Sequence, residues 1–63
     1  MVIINGEPKD AAGMTVTELL DSMKLLPERT AVMIESDILP KADYGRCLKD
    51  GETVEIIVFV GGG

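Results

Sequence analysis

The sequence predicts an α+β domain, in which one main helix packs on one face of a mixed sheet of about four to five strands. Three observations support this prediction. A single amphipathic helical pattern lies early in the chain, short apolar runs rich in β-branched residues lie on both sides of it, and turn signals separate these runs. With 63 residues, the chain is near the lower size limit for a single domain.

The chain is predicted to open with a hairpin. Residues 1–5 form the first strand, and Asn5-Gly6 is a strong hairpin signal because both residues tolerate positive φ. A second short strand is predicted over residues 9–12. Pro8 places that strand at a sheet edge, since proline cannot donate to a strand ladder.

The main helix is predicted over residues 16–25. Thr15 and Glu18 have the spacing of a capping box, in which each side chain bonds the main-chain amide of the other residue. Pro27 ends the pattern. The apolar residues that form one face of this helix are Val16, Leu19, Leu20 and Met23.

Two strands are predicted directly after the helix. Residues 30–35 form the first, Ser36-Asp37 is the turn, and residues 38–39 form a short strand that stops at Pro40. The segment 41–48 is predicted to be a loop or one helical turn.

The last strand, residues 53–60, has the strongest β pattern in the chain and follows a tight turn at Asp50-Gly51. Two strands, a crossover helix and further strands imply a small β-grasp-like sheet. The crossover is right-handed where strands on either side of the helix pair in parallel.

The two faces of the last strand differ. The set predicted to pack on the helix is Val54, Ile56, Val58 and Val60. Glu55 lies on the opposite face and should be in water, so Ile57 and Phe59 are expected on the uncovered side. Contiguous exposed apolar residues mark interaction sites, which makes these two a candidate partner interface. The alternative is that the segment 41–48 folds over them.

Composition excludes several classes of function. The chain has one cysteine, Cys47, and no histidine, so it has no intramolecular disulfide, no usual structural zinc site and no Ser-His-Asp or Cys-His catalytic set. We assign no catalytic or metal-binding residue and expect Cys47 to be buried beside Leu48. A lone thiol without a secretory signal favours the cytoplasm.

Charge and hydropathy narrow the range of partners. A net charge of −5 with no tryptophan disfavours nucleic-acid binding. The longest apolar run, residues 56–60, is far shorter than the roughly 20 residues that span a bilayer, so no membrane association is expected.

The chain is predicted to consist of one domain, residues 1–60, and a flexible tail formed by Gly61, Gly62 and Gly63. Three extended residues reach about 10 Å. Because glycine has no Cβ, such a tail can enter a narrow channel and place the Gly63 α-carboxylate in the active site of a partner. The alternative is an idle chain end, and the tail alone does not decide between the two.

Motifs along the whole chain resemble those of the thiamine-biosynthesis sulfur carriers (ThiS), which are ubiquitin-like β-grasp proteins that end in Gly-Gly. The resemblance rests on the order and spacing of these segments together. In chain order they are Asn5-Gly6-Glu7, Thr15-Val16, Glu18-Leu19-Leu20, Ala31-Val32, Ile38-Leu39-Pro40-Lys41, Tyr44, Asp50-Gly51-Glu52, Val54-Glu55-Ile56 and Val60-Gly61-Gly62-Gly63.

The resemblance implies a protein co-substrate and not an enzyme. In the family, a ThiF-like adenylyltransferase consumes ATP to adenylate the C-terminal glycine, here Gly63, and a cysteine desulfurase or other sulfur-transfer protein supplies sulfur for a thiocarboxylate. The thiocarboxylate donates its sulfur to a ThiG-like thiazole synthase for the thiazole ring of thiamine. Gly61 and Gly62 would enter the partner's active site, and no cofactor would be bound permanently.

Three alternatives remain open at this stage. The chain could be a molybdopterin-type sulfur carrier, a ubiquitin-like modifier conjugated through Gly63, or a β-grasp interaction domain with an idle tail. One departure from the family concerns the turn after the third strand, where Glu35-Ser36 replaces the usual Asn-Gly.

Overall fold

Five strands and one α-helix form the part of the chain that the structure, a computed structural model, describes, residues 1–59. The predictions that concern Val60, Gly61, Gly62 and Gly63 lie outside these residues. In chain order the elements are β1 (Val2–Ile4), β2 (Glu7–Lys9), α1 (Val16–Ser22), β3 (Thr30–Ile34), β4 (Asp37–Leu39) and β5 (Thr53–Val58). Single 3-10 turns lie at Pro27–Arg29 and Lys41–Asp43.

The strands form one mixed sheet in the order β2-β1-β5-β3-β4. The first and last strands pair in parallel, and every other pairing is antiparallel. The last strand in sequence therefore occupies the centre of the sheet, between two hairpins. This arrangement confirms the predicted α+β β-grasp architecture.

The core lies between α1 and one face of the sheet. Most of its fully buried aliphatic side chains come from α1 and from the three central strands, and each contributes about 1.5–3 kcal/mol through burial. They include Val2, Ile4, Val16, Leu20, Val32 and Val54. Within residues 1–59, no helix is long and apolar enough to cross a bilayer.

The helix begins as predicted and ends earlier. The Thr15 hydroxyl accepts from the Glu18 amide at 3.0 Å and the Glu18 carboxylate accepts from the Thr15 amide at 2.9 Å, which confirms the capping box. The predicted end at residue 25 is wrong, because Lys24 adopts the left-handed conformation with φ of 60°. The Leu25 amide then donates back to the Leu20 carbonyl at 2.9 Å, which forms a Schellman motif at the helix end. The motif is unusual only in that Lys24 occupies the left-handed position where glycine is common.

The β1–β2 connection is a two-residue hairpin. Asn5 and Gly6 have φ of 51° and 85°, which confirms the predicted turn. Because so short a turn sets Ile4 opposite Glu7, β2 begins immediately after it and not at residue 9. Pro8 lies inside β2, at the edge of the sheet as expected.

The β3–β4 connection repeats this geometry with other residues. Glu35 and Ser36 have φ of 50° and 73°, and Ile34 pairs with Asp37. The predicted turn at Ser36-Asp37 is therefore displaced by one residue. Two residues without a glycine adopt a conformation that normally favours Asn-Gly, so the hairpin keeps the geometry at a local cost in strain.

Candidate functional site

The end of β5 is held against the turn at Pro27–Arg29. The Phe59 amide donates to the Arg29 carbonyl at 2.8 Å, one step beyond the pairing of Val58 with Thr30. The buried Thr30 hydroxyl in turn donates to the Pro27 carbonyl at 3.1 Å. The last described residue of the chain, Phe59, is thus fixed to the domain, and only Val60 separates it in sequence from the proposed tail residues Gly61, Gly62 and Gly63.

An apolar surface lies on the face of the sheet opposite the helix. Ile57 and Phe59 are 46% and 55% exposed, as the alternation of β5 predicts. In the register, Ile57 lies opposite Ala31 and Met33 lies opposite Ile38, which is 75% exposed. We refer to the set Ala31, Met33, Ile38, Ile57 and Phe59 as the outer patch. Its β3 and β4 members were not among the residues predicted from the sequence, although the alternation of β3 places Ala31 and Met33 on that face.

The segment 41–48 does not cover the outer patch. It begins with the 3-10 turn Lys41–Asp43, one of the two forms predicted for it. It then crosses the start of the helix, where the Tyr44 carbonyl accepts from the Thr17 amide at 3.0 Å and the Arg46 carbonyl accepts from the Val16 amide at 3.2 Å. Tyr44 and Leu48 are buried in the core. The alternative in which this segment folds over Ile57 and Phe59 is therefore wrong.

One assignment on β5 needs correction. Val54 and Ile56 are buried against the helix as predicted, but Val58 is 42% exposed. The helix ends at Ser22, so the sheet extends past the element that was expected to cover it. The last two residues of β5, Ile57 and Val58, and the following Phe59 therefore present apolar atoms to solvent on both faces.

The prediction for Cys47 is also wrong, because this residue is exposed. Its neighbour Leu48 points into the core and bonds Met14, with the Leu48 amide 2.8 Å from the Met14 carbonyl. Cys47 itself makes a strand-like bridge with Thr15. In so extended a segment, successive side chains point in opposite directions, so burying Leu48 turns the thiol outward.

An ion pair supports the chain just before β5. Arg46 donates to both carboxylate oxygens of Glu52, with Nη2–Oε2 at 2.9 Å and Nη1–Oε1 at 3.5 Å, and the Lys49 amide donates to Oε1 at 2.7 Å. The hydrogen bond from Arg46 is the main reason that the pKa of Glu52 is lowered, and the Lys49 amide adds to it against the opposing effect of burial. These contacts fix the conformation of residues 46–52, which lead into β5. We assign no catalytic role to them.

A groove of about 250 Å³ lies on the helix side. Its volume is below the range of about 300–1,000 Å³ that is typical of small-molecule sites. It combines apolar side chains with the carboxylates of Glu18 and Asp21 and the hydroxyl of Thr17, which donates to the Tyr44 carbonyl at 3.1 Å. The residues that line it are Thr17, Glu18, Asp21, Leu25, Leu26 and Pro27.

Comparison with protein families and solved structures gives consistent matches. The model of the ThiS family matches residues 2–63. The crystal structure of a thiamine biosynthesis protein (ThiS) from Geobacter metallireducens is 33% identical, with a TM-score of 0.76 over 98% of this chain and 97% of that one. The sulfur carrier protein ThiS of Thermus thermophilus is 33% identical over 64 residues, which cover 100% of both chains.

Two longer proteins also match. The thiazole synthases of Paramagnetospirillum magneticum and Magnetococcus marinus are 38% and 36% identical over 98% and 95% of this chain. The aligned part makes up 20% and 19% of those proteins, so the chain spans about a fifth of their length.

Proposed function

The chain belongs to the ThiS family, and from this premise we propose that it is a sulfur carrier for the thiazole ring of thiamine. The Gly63 carboxylate is the group that changes. An adenylyltransferase transfers AMP from ATP to a carboxylate oxygen and releases pyrophosphate. The terminal sulfur of a protein persulfide then attacks the acyl carbon and AMP leaves. A thiol cleaves the S–S bond of the resulting acyl disulfide, which releases the thiocarboxylate and forms a new disulfide on the sulfur-transfer protein.

The proposal divides the work between the carrier and its partners. A carboxylate is a poor acyl donor until one oxygen becomes part of a good leaving group, and the adenylate provides that leaving group. The adenylyltransferase carries out the ATP-dependent adenylation, and the sulfur-transfer protein or cysteine desulfurase supplies the sulfur. The carrier supplies a folded handle and a tail without side chains, so it acts as a co-substrate and not as a catalyst.

The observation that supports this division is the position of β5. This strand lies in the centre of the sheet between β1 and β3, and Phe59, which follows it, is anchored to Arg29 one residue before the tail. The outer patch lies beside that end. A partner that binds Ile57 and Phe59 would therefore hold the tail at a fixed origin, about four residues from the reacting carboxylate, or at most roughly 14 Å.

The thiazole synthases that match this chain support a synthase of that class as the sulfur acceptor. A stretch similar to this chain is covalently part of those proteins, so carrier and synthase would act at high effective concentration there. We propose that this chain delivers its sulfur to a thiazole synthase, and that the exchange takes place in the cytoplasm.

The experiment that tests the proposal is intact-mass measurement. The protein is incubated with the adenylyltransferase of the same genome, ATP and a sulfur source. We expect a mass gain equal to the replacement of one oxygen by sulfur, located on Gly63 by fragmentation. A matched control carries one alanine after Gly63 and should remain folded but unmodified. Conjugation to lysines, or modification of the extended control, would overturn the proposal.

A further inference from the structure

The main-chain groups of β5 point alternately to its two neighbours. Toward β3, the Glu35 amide donates to the Thr53 carbonyl at 2.9 Å and the Phe59 amide donates to the Arg29 carbonyl at 2.8 Å. The main-chain amides and carbonyls of the odd-numbered residues of β5 therefore point to β3 along the whole strand. This agrees with the register of β5 against Thr30–Ile34.

The even-numbered residues of β5 face β1, which is much shorter. The Ile3 amide donates to the Glu52 carbonyl and the Asn5 amide donates to the Val54 carbonyl, both at 2.9 Å. The chain then turns away, and the Asn5 side-chain oxygen accepts the next amide, that of Ile56, at 2.8 Å.

Beyond this point the edge of β5 is open. The Ile56 carbonyl and the Val58 amide point to the β1 side, and among residues 1–59 no main-chain or side-chain group bonds either of them. The exposed side chains of Ile57 and Val58 flank this edge on the two faces of the sheet. An unpaired strand edge is a template for another strand, and apolar flanks favour apolar residues in the strand that pairs with it.

We propose that this open edge, Ile56 to Val58, accepts an extended segment of the adenylyltransferase as an added strand in line with β1. The inference rests on the proposed function. The segment would present a carbonyl to the Val58 amide, an amide to the Ile56 carbonyl, and apolar side chains to Ile57 and Val58.

Two observations favour this occupant over a second copy of the chain. Only Phe59 and Val60 separate the edge from the tail, so a strand added there fixes both the direction and the origin of the residues that the adenylyltransferase must receive. Each copy carries a net charge of −5, and pairing two copies edge to edge would bring like charges together. A partner segment of neutral or basic character meets no such repulsion.

The first test removes one hydrogen-bond donor. Val58→Pro deletes the Val58 amide proton, which the fold does not use, and the extended conformation of Ile57 suits a residue before proline. We expect this variant to stay folded and its Kd for the adenylyltransferase to rise at least tenfold, which corresponds to about 1.4 kcal/mol. Val58→Ala keeps the donor and loses only side-chain area, so its Kd should change less than threefold.

The second test uses the unmodified protein and so remains valid if proline disturbs folding. Amide hydrogen exchange, read by NMR, should show fast exchange at Val58 and slow exchange at Ile57 in the free carrier. In the complex with the adenylyltransferase, Val58 should become protected. Equal affinity of the proline and alanine variants, or an unprotected Val58 in the complex, would overturn the inference.

Other outcomes separate the inference from its premise. Protection of Val58 in the free carrier that grows with concentration would assign the edge to a second copy and overturn the proposal. An unprotected Val58 in a complex that still yields the thiocarboxylate would refute the added strand alone. A wild-type carrier that forms no thiocarboxylate with its adenylyltransferase would instead refute the function.

Discussion

The side-chain oxygen of Asn5 accepts a hydrogen bond from the main-chain amide of Ile56, 51 residues away in sequence, at 2.8 Å. The main chain of Asn5 adopts a left-handed conformation to form the hairpin turn. Because the chain turns here, the Asn5 side-chain oxygen replaces the main-chain carbonyl that would have accepted from the Ile56 amide if β1 had continued. One residue therefore makes a local turn and extends a parallel pairing between the two ends of the chain.

Substitution of Asn5 should separate these two roles. Asn5→Gly keeps the left-handed conformation and leaves the Ile56 amide without its acceptor, so we expect a loss of about 1–2 kcal/mol in the free energy of unfolding. Asn5→Asp keeps an acceptor and tolerates positive φ, and should lose less. Urea unfolding at neutral pH measures both values. Equal stability of the two variants would show that the Ile56 hydrogen bond contributes nothing.

The β3–β4 turn offers a stabilising substitution. Ser36 has a φ of 73°, where a residue with a Cβ is disfavoured by roughly 1–2 kcal/mol relative to glycine. Ser36→Gly should therefore raise the free energy of unfolding by about 1 kcal/mol, measured by thermal or urea denaturation. Ser36→Ala is the control, since it removes the hydroxyl and keeps the strain, and it should not stabilise.

The neighbouring residue is a poor place for the same change. The Glu35 carboxylate accepts from the Thr53 amide at 2.7 Å, so Glu35 bonds the first residue of β5. Glu35→Gly relieves strain and removes this acceptor, and the two effects oppose each other. We expect its stability to fall below that of Ser36→Gly, and a larger gain from Glu35→Gly would contradict this account of the turn.

The pair formed by Arg46 and Glu52 should make stability depend on pH in the acid range. Because the pKa of Glu52 is lowered in the folded state, the unfolded chain binds more protons there. The contribution of Glu52 is fully present above its ordinary pKa of 4.5 and is lost as the pH falls through its lower folded value. Most of the effect comes from the hydrogen bond that Arg46 donates.

Arg46→Met tests this dependence. At pH 7 the variant should be less stable by about 1 kcal/mol or less, since the pair is partly exposed. The gap between wild type and variant should close as the pH is lowered from 5 toward about 2, because both proteins then carry a protonated Glu52. Urea midpoints over that range provide the measurement. A gap that stays constant with pH would mean that the guanidinium acts through packing alone.

The parts of the fold that were predicted correctly are those with a local cause. The Asn5-Gly6 turn, the capping box and the buried face at Val54 and Ile56 each follow from spacing and residue type. The errors arise where a residue adopts a conformation that its type disfavours, or where the position of another element decides. The helix stops early because the chain accepts a strained Lys24, and Val58 is exposed because that shortened helix does not reach it.

The candidate functional site likewise contains features that follow from the local sequence pattern and features that do not. Exposure of Ile57 and Phe59 follows from the alternation of β5 and was predicted. The open edge beyond Ile56 depends on where β1 stops relative to β5, a parallel register between the two ends of the chain that spacing alone does not define. Cys47 was assigned to the core because it neighbours Leu48, although the pairing with Thr15 turns only Leu48 inward.

The last prediction concerns the outer patch. If this surface binds the adenylyltransferase, Phe59 should contribute more to binding than residues farther from the end of β5. Phe59 is more than half exposed and lies beside the anchor at Arg29, so a charge there should reach a bound partner but not the core. Phe59→Glu should leave the free energy of unfolding within about 0.5 kcal/mol of wild type. The KM for the carrier in adenylation should rise at least tenfold, because the charge is buried in the complex without a partner.

Ile38→Glu is the matched control. It places the same charge on the same face, on the edge strand β4, two strands away from β5 in the sheet order. Pyrophosphate exchange with the adenylyltransferase measures KM and kcat for both variants. If the two substitutions raise KM equally, the partner does not distinguish the end of β5 from the rest of the outer patch, and the special role of Phe59 is refuted. If Phe59→Glu unfolds the domain, Phe59 contributes to packing, and the face assignment at the end of β5 is wrong.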